Sequence, residues 1–147
     1  MKRIINQTEL KFPSYSVNER FARGAVTAFL LCLDPLITEM NDLKTAVSEA
    51  VTNAVVHGYR DTIGLVYITM KIYEDDSISV RIRDRGCGIE NIEQAMEPLF
   101  TTGGEERAGL GFAVMQSFCD SVCVRSQPGK GTAVTLFKRL SRKQNAE

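Results

Sequence analysis

The sequence feature that most constrains the fold is a pair of alternating segments joined by a short polar turn. Apolar residues occupy every second position on both sides of Glu74-Asp-Asp-Ser77: Val66, Ile68, Met70, Ile72, Ile78, Val80 and Ile82. A period of two places these side chains on one face of an antiparallel hairpin. Such a face must be covered by a second layer, so we expect helices packed against one side of a sheet.

Two amphipathic helices are predicted upstream of the hairpin. Asn18 is a suitable N-cap for a helix through residue 33, and Asp34-Pro35 then interrupts the chain. A second helix is predicted over residues 37–57, ended by Gly58. Its apolar residues recur at helical spacing: Leu43, Ala46, Val47, Ala50, Val51, Ala54 and Val55. This stripe can cover the apolar face of the hairpin.

The remaining segments complete a two-layer α/β sandwich. We predict further strands at residues 8–12, 121–125 and 132–137, helices at 91–96 and 109–118, and a loop at 98–108. Pro128-Gly-Lys-Gly131 joins the last two strands. The expected architecture is a mostly antiparallel sheet with helices on one face. We expect one domain over residues 1–147, with a short flexible tail from about residue 139.

The composition argues against several classes of function. Eighteen basic residues balance eighteen acidic ones, so the chain lacks the basic excess of a typical nucleic-acid binder. No window approaches the roughly 20 apolar residues of a membrane span, and the start does not have the pattern of a signal peptide. The four cysteines are expected to be reduced, because nothing indicates a secreted protein and the single histidine is too distant for a zinc site. We therefore expect a cytoplasmic protein without direct nucleic-acid or membrane partners.

Glu49 and Asn53 lie four positions apart on the long helix, away from its apolar stripe. At about 100° per residue they return to one face, a turn apart. An asparagine carbonyl oxygen is a hard ligand suited to Mg²⁺, and a carboxylate one turn away can accept a proton from a hydroxyl or a water. Taken alone, the pair is more typical of a solvated polar helix face.

Asp84-x-Gly86-x-Gly88 directly follows the second strand of the hairpin. Glycine lets the backbone approach a ligand closely. A buried carboxylate that accepts a hydrogen bond from the exocyclic amine of adenine would select adenine over guanine. Asp and Gly are also common in turns, so this motif alone leaves a ligand site and a simple turn equally open.

Gly109-Leu-Gly111 is predicted to open a helix after a loop. The N–H groups at a helix N-terminus bind phosphate, and glycine removes the Cβ that would obstruct it. The preceding segment, Phe100-Thr-Thr-Gly-Gly-Glu-Glu-Arg107, is rich in hydroxyls and glycine, as a mobile lid over a triphosphate would be. A lone Gly-x-Gly is also compatible with an ordinary surface loop.

The order of these motifs is more specific than any one of them. Together with Gly129-Lys-Gly-Thr132 before the last strand, they make the chain resemble the GHKL superfamily of ATPases and kinases over about residues 7–138. Residues 48–58 resemble its N-box, 84–88 its G1 box and 109–112 its G2 box. Within that superfamily the chain resembles the anti-sigma-F serine kinases of bacterial sporulation, also at Phe21-Ala-Arg23 and Pro98-Leu-Phe-Thr-Thr102.

The resemblance implies a protein kinase that binds ATP or ADP with Mg²⁺. Glu49 would be the catalytic base toward a serine, and Asn53 the Mg²⁺ ligand. Asp84 would hold the adenine, helped by three residues: Gly86, Gly88 and Thr132. Five residues would line the phosphates: Thr101, Thr102, Arg107, Gly109 and Gly111.

The resemblance also implies protein partners. Glu19 and Arg23 on the first helix would lie on the partner-binding face, while the apolar positions Phe21, Val26 and Phe29 can pack inward. Kinases of this type form a homodimer, bind a sigma factor (sigma F) and phosphorylate a serine of an anti-anti-sigma protein.

The sequence departs from the family pattern at one place, and three alternative functions remain open. Gly103-Gly104 stands where a lysine and a proline are usual, which argues against a lysine contact to the phosphates. The same motifs fit the anti-sigma kinase of the general stress response. The ATP-binding half of a histidine kinase would need a phosphoacceptor histidine on a separate helix, whereas His57 lies inside the N-box. A nucleotide-gated binding protein without catalysis is the third alternative, and the presence of Glu49 argues against it.

Overall fold

The structure, a computed structural model, describes residues 2–96 and 106–141. For residues 106–110 it describes the backbone only. Five antiparallel strands form one sheet in the order β1-β2-β3-β5-β4. The strands are β1 (Ile4–Pro13), β2 (Leu65–Tyr73), β3 (Ser77–Asp84), β4 (Ser121–Gln127) and β5 (Gly131–Arg139). The helices are α1 (Asn18–Leu30), α2 (Ile37–Thr52), α3 (Ile92–Met96) and α4 (Glu106–Phe118). The predicted α/β architecture is confirmed.

The alternating hairpin forms as predicted. Its register pairs Ile72 with Ile78, Met70 with Val80, and Ile68 with Ile82. All seven apolar residues of the alternation are buried on the face that the helices cover. Burying side chains of this size contributes about 1.5–3 kcal/mol each, which makes a one-residue slip of register costly.

The opposite face of the sheet is polar and carries several cations. Lys11, Arg81 and Arg83 line a groove of about 530 Å³ on this face, beside Tyr67. The guanidinium groups of Arg83 and Arg85 lie 5.4 and 5.2 Å from the centre of the Tyr67 ring. This groove contains none of the predicted site residues.

Helix α1 differs from prediction in two details. Its buried residues are Ala22, Val26 and Leu30, spaced four apart, whereas Phe21 is 53% exposed and meets Phe12 edge-on at 6.0 Å. Since Phe21 precedes that stripe by one residue, it points about 100° away from the core, and its predicted inward packing is wrong. Asn18 is the first helical residue rather than the N-cap, because its side chain donates to the carbonyl of Pro13 at 2.9 Å.

The end of α2 is the main departure from the predicted secondary structure. The α-helix stops at Thr52 and continues as a π-helix over Asn53–Gly58, in which the amide of Tyr59 reaches back five residues to the carbonyl of Ala54. The next carbonyls turn toward the loop after β3, where Cys87 donates its N–H to Gly58 at 2.9 Å. These contacts with a distant loop favour the wider turn, so the predicted regular helix to residue 57 is wrong.

The two residues that follow β5 are hydrogen-bonded to the rest of the fold. The amide of Leu140 donates to the carbonyl of Asp76, and the amide of Ser141 donates to Glu39 on α2 at 2.7 Å. Leu140 and Ser141 are therefore held against the rest of the fold, although the sequence predicted a tail from about residue 139. Among the helices within residues 2–96 and 106–141, none is long and apolar enough to cross a bilayer.

Candidate functional site

A cavity of about 680 Å³ lies between the π-helical end of α2, the loop after β3, α3, α4 and the start of β5. Four residues predicted from sequence line it: Asn53, Asp84, Gly88 and Thr132. Its volume is within the usual range for a small-molecule site, roughly 300–1,000 Å³. The fold therefore brings together motifs that are separated by up to about eighty positions in the chain.

Asp84 is the buried acid of this cavity, at 5% exposure. Its Oδ1 accepts a hydrogen bond from the amide of Gly86 at 2.8 Å. Burial raises the pKa of the Asp84 carboxyl above its usual value, while the backbone amides of Gly86 and Thr132 oppose the rise. A carboxylate held here in its ionised form offers a ligand only acceptors, as recognition of an amino group requires.

Glycines are needed around Asp84 because three backbone segments meet there. A Cβ at Gly58 would lie 2.8 Å from Cγ of Asp84, and one at Gly86 would lie 1.9 Å from the carbonyl oxygen of Gly58. Gly88 has φ +75°, and a Cβ there would lie 2.1 Å from the carbonyl oxygen of Gln127. The Asp84-x-Gly86-x-Gly88 motif is thus a site of close backbone packing and not a free surface turn.

Glu49 and Asn53 meet the helix that carries the other glycine motif. A Cβ at Gly111 on α4 would lie 3.2 Å from Oε2 of Glu49 and 3.4 Å from both side-chain amide atoms of Asn53. Both side chains are half-buried, so they do not belong to a solvated helix face. Nδ2 of Asn53 is buried and has no hydrogen-bond partner within the part of the chain that the structure describes.

The predicted phosphate-binding residues are described only in part. Gly109 and Gly111 lie inside α4, which already includes Glu106, so the prediction that Gly109 opens this helix is wrong. Thr101 and Thr102 lie outside the described residues, as does most of the predicted lid. Arg107 is placed on α4 by its backbone.

The two residues predicted on the partner face differ in their surroundings. Glu19 accepts a hydrogen bond from the hydroxyl of Thr52 on α2. Arg23 is half-buried, and within the described residues no ion pair joins it to Glu19. Of these two residues, Arg23 is therefore the one whose charged group could bind a partner without breaking a contact between α1 and α2.

Sequence reasoning missed two residues that build the site. Gly58 was predicted to end the helix of the N-box and was given no role in the site, yet it packs on Asp84 and Gly86. Ser126 on β4 contacts Thr132 at the wall of the cavity. Gly58 lies next to the predicted helix end and Ser126 next to the last turn, but neither position carries a local pattern that indicates these contacts.

The fold is that of an ATPase domain related to histidine kinases. The model of the histidine kinase-like ATPase domain family matches residues 13–138. A crystal structure of the RsbU and RsbW domains of a Mycobacterium tuberculosis protein superposes with a TM-score of 0.70 at 21% identity, covering 93% of this chain and 32% of that one. A blue-light activated histidine kinase domain from Erythrobacter litoralis gives 0.56 at 20% identity, covering 80% of this chain and 59% of that one. At these identities the two structures show a similarity of fold.

Relatives at higher identity define the group more narrowly. An anti-sigma F factor from Caldanaerobacter subterraneus subsp. tengcongensis is 54% identical over 138 residues, covering 93% of this chain and 96% of the relative. The anti-sigma F factor of Pasteuria penetrans is 49% identical over 148 residues, covering 99% and 97%. The chain belongs to the histidine kinase-like ATPase family and, within it, to the family of anti-sigma F factors.

Proposed function

We propose that this chain is an anti-sigma factor and an ATP-dependent protein serine kinase, which binds sigma F and phosphorylates a serine of its anti-anti-sigma antagonist. The observation that carries the catalytic part is the placement of Glu49 and Asn53 together against Gly111 of α4. That contact puts a carboxylate and a polar amide beside the glycine motif expected at the phosphates. The partner part rests on the family of anti-sigma F factors, to which the chain belongs.

Asp84 is the residue that would select adenine. Its carboxylate is buried in the cavity wall and accepts the amide of Gly86 through Oδ1. The remaining acceptor capacity suits the 6-amino group of adenine. Guanine presents an oxygen at that position, and two acceptors facing each other in a buried site would cost about 1–3 kcal/mol.

The donors at the catalytic end of the site fit a nucleotide-bound Mg²⁺ ion. Nδ2 of Asn53 is buried and unpaired among the described residues, so it could donate to a phosphate oxygen, while Oδ1 of the same amide is the hard oxygen that could bind the ion. No group of three or more His, Cys, Asp or Glu side chains is arranged for a metal in residues 2–96 and 106–141, so most ligands would be phosphates and waters. When bound, the ion would neutralise charge on the phosphate oxygens.

Glu49 would act as the general base in phosphoryl transfer. Its carboxylate would accept the proton of the substrate serine hydroxyl as the serine oxygen bonds to the γ-phosphorus. The bond between the γ-phosphorus and the β–γ bridging oxygen breaks in the same step, and ADP leaves with that oxygen. Glu49 is half-buried, and its carboxylate and the Asn53 side chain have Gly111 as a common neighbour.

The partner-binding surface would include α1. Arg23 offers a fixed charge and five donors in a planar fork, which suits a carboxylate on a partner. Freeing the sigma factor requires docking of the anti-anti-sigma protein, and overlapping surfaces on α1 are the simplest arrangement. We propose that the active form is a homodimer.

The test of catalysis is phosphoserine on the anti-anti-sigma protein after incubation with the pure chain and Mg·ATP, detected by mass spectrometry. Glu49→Gln should retain nucleotide and sigma binding but slow the transfer by about a hundredfold or more, the usual range for loss of a general base. Glu93→Gln, on the exposed side of α3, is the matched control and should react at the wild-type rate.

Two outcomes would contradict the proposal in different ways. Sigma binding that responds to nucleotide but yields no phosphoserine with the wild-type chain would identify a binding protein without catalysis. Wild-type rates in the Glu49→Gln variant would leave the kinase activity in place and assign the base to another residue.

A further inference from the structure

The hydroxyl of Ser126 joins three segments that surround the cavity. Its Oγ lies 2.7 Å from the amide nitrogen of Ile89, in the loop that follows Asp84. It also lies 3.0 Å from the carbonyl oxygen of Gly131 and 2.9 Å from Oγ1 of Thr132, both at the start of β5. Ser126 itself is half-buried on β4, so these contacts are only partly exposed to solvent.

These three contacts determine where the hydroxyl protons are. A carbonyl oxygen can only accept, so the single proton of Ser126 is donated to Gly131. The amide of Ile89 can only donate, and it takes one lone pair of the Ser126 oxygen. The contact between the two hydroxyls must then be a donation from Thr132 to Ser126, which uses the only hydroxyl proton of Thr132.

The hydroxyl of Thr132 consequently offers only lone pairs to a ligand in the cavity, which Thr132 lines. It is the direct partner of Asp84 across the β3–β5 pairing, so the two side chains lie on the same face of the sheet. Opposite residues of antiparallel strands have Cβ atoms about 4.5–5.5 Å apart. One small group on a ligand can therefore contact both side chains.

We propose that Ser126 is a positioning residue for nucleotide specificity: it holds Thr132 as an acceptor, so that Thr132 and Asp84 together bind both hydrogens of the 6-amino group of a purine. The proposal rests on the proposed function for its ligand, ATP. A 6-oxo purine offers no donor at this position and would meet two acceptors. Reversing the Thr132 hydroxyl toward such a ligand would take away a hydrogen bond that Ser126 now accepts.

The test compares the affinities for ATP and ITP, which differ at the 6-position. In Ser126→Ala the Thr132 proton is released and can be donated to the 6-oxo group, so the preference for ATP over ITP should fall by about five- to tenfold, the effect of one hydrogen bond. Ser126→Thr retains a hydroxyl and should keep the wild-type preference. Ser121→Ala makes the same change at an exposed position of the same strand and is the control.

A second variant covers a failure of Ser126→Ala to fold. Thr132→Val preserves the shape and removes the acceptor, so it should weaken ATP binding by about fivefold and leave ITP binding unchanged or tighter. Equal losses for both nucleotides in Ser126→Ala or in Thr132→Val would reduce Ser126 to a structural role and overturn the inference. A wild-type chain that binds neither nucleotide would instead overturn the proposed function.

Discussion

The hydroxyl of Thr52 on α2 donates a hydrogen bond to the carboxylate of Glu19 on α1. Thr52 directly precedes Asn53, so the contact ties the helix predicted to meet partners to the helix that carries Glu49 and Asn53. Glu19 is half-buried and engaged inside the protein. Its first role is therefore to fix α1 against the site helix.

Removal of this contact should destabilise the fold. Thr52→Val deletes the donor to the Glu19 carboxylate, and a hydrogen bond to a charged group contributes about 1.5–3 kcal/mol. We expect the free energy of unfolding in urea to fall by about 1–2 kcal/mol, since Glu19 can recover part of its solvation. Thr45→Val is the control, because that exposed hydroxyl bonds only within its own helix, to the carbonyl of Asn41. Equal stabilities of the two variants would contradict the prediction.

Arg23 should be needed by both protein partners. Arg23→Glu is expected to weaken binding of the sigma factor and of the anti-anti-sigma protein by roughly 2 kcal/mol or more, through lost contacts and like-charge repulsion. ATP affinity should not change, because Arg23 does not line the cavity. The measurement is a titration against each partner with Mg·ADP and with Mg·ATP.

Arg20→Glu is the matched control for that experiment, since it makes the same charge reversal at an exposed position of α1. Equal binding by wild type and Arg23→Glu would place the docking surface elsewhere.

Asp84 should bind adenine at some cost to the stability of the free protein. Asp84→Asn puts an amide where the base amine needs an acceptor, so we expect ATP affinity to fall by about 1–3 kcal/mol in calorimetry. An affinity equal to that of wild type would remove Asp84 from the adenine pocket.

The sign of the pH effect follows from the raised pKa of Asp84. The native state holds this proton more tightly than the unfolded state, whose pKa is near 3.8. Between the two pKa values the unfolded state binds fewer protons, so the free energy of unfolding falls as pH rises. The contribution is full below the unfolded pKa and is lost above the folded one. Urea unfolding across this range should show the decline in wild type and lack this component in Asp84→Asn.

Nucleotide should protect one cysteine from alkylation. Cys87 is exposed and lines the cavity, whereas burial raises the pKa of Cys119 to about 11 and keeps that thiol unreactive. With Mg·ADP at about ten times Kd, labelling of Cys87 by iodoacetamide should slow by roughly tenfold, as read by mass spectrometry. Cys32 and Cys123 are exposed away from the cavity and provide internal controls. Unchanged labelling of Cys87 would mean that nucleotide binds elsewhere.

The layers of the fold could be predicted from local patterns. The alternation from Val66 to Ile82 fixed the central hairpin and its buried face, because a slip of one residue would expose that face. The stripe on α2 identified the covering helix in the same way. The predicted motifs at Asp84, Asn53 and Thr132 meet at one cavity, since each lies at the end of an element that the sheet brings together.

The tertiary structure decided what depends on contacts between distant segments. The π-helical turn at Asn53–Gly58 forms where the carbonyl of Gly58 meets Cys87, twenty-nine positions away. The same holds for the hydrogen bond between Thr52 and Glu19 and for the hydroxyl protons around Ser126. No local sequence pattern indicates these contacts. The sequence by itself determined which faces are buried, because apolar periodicity acts within one element. Which polar groups meet, and which of them donates, was set only when packing brought these donors and acceptors together.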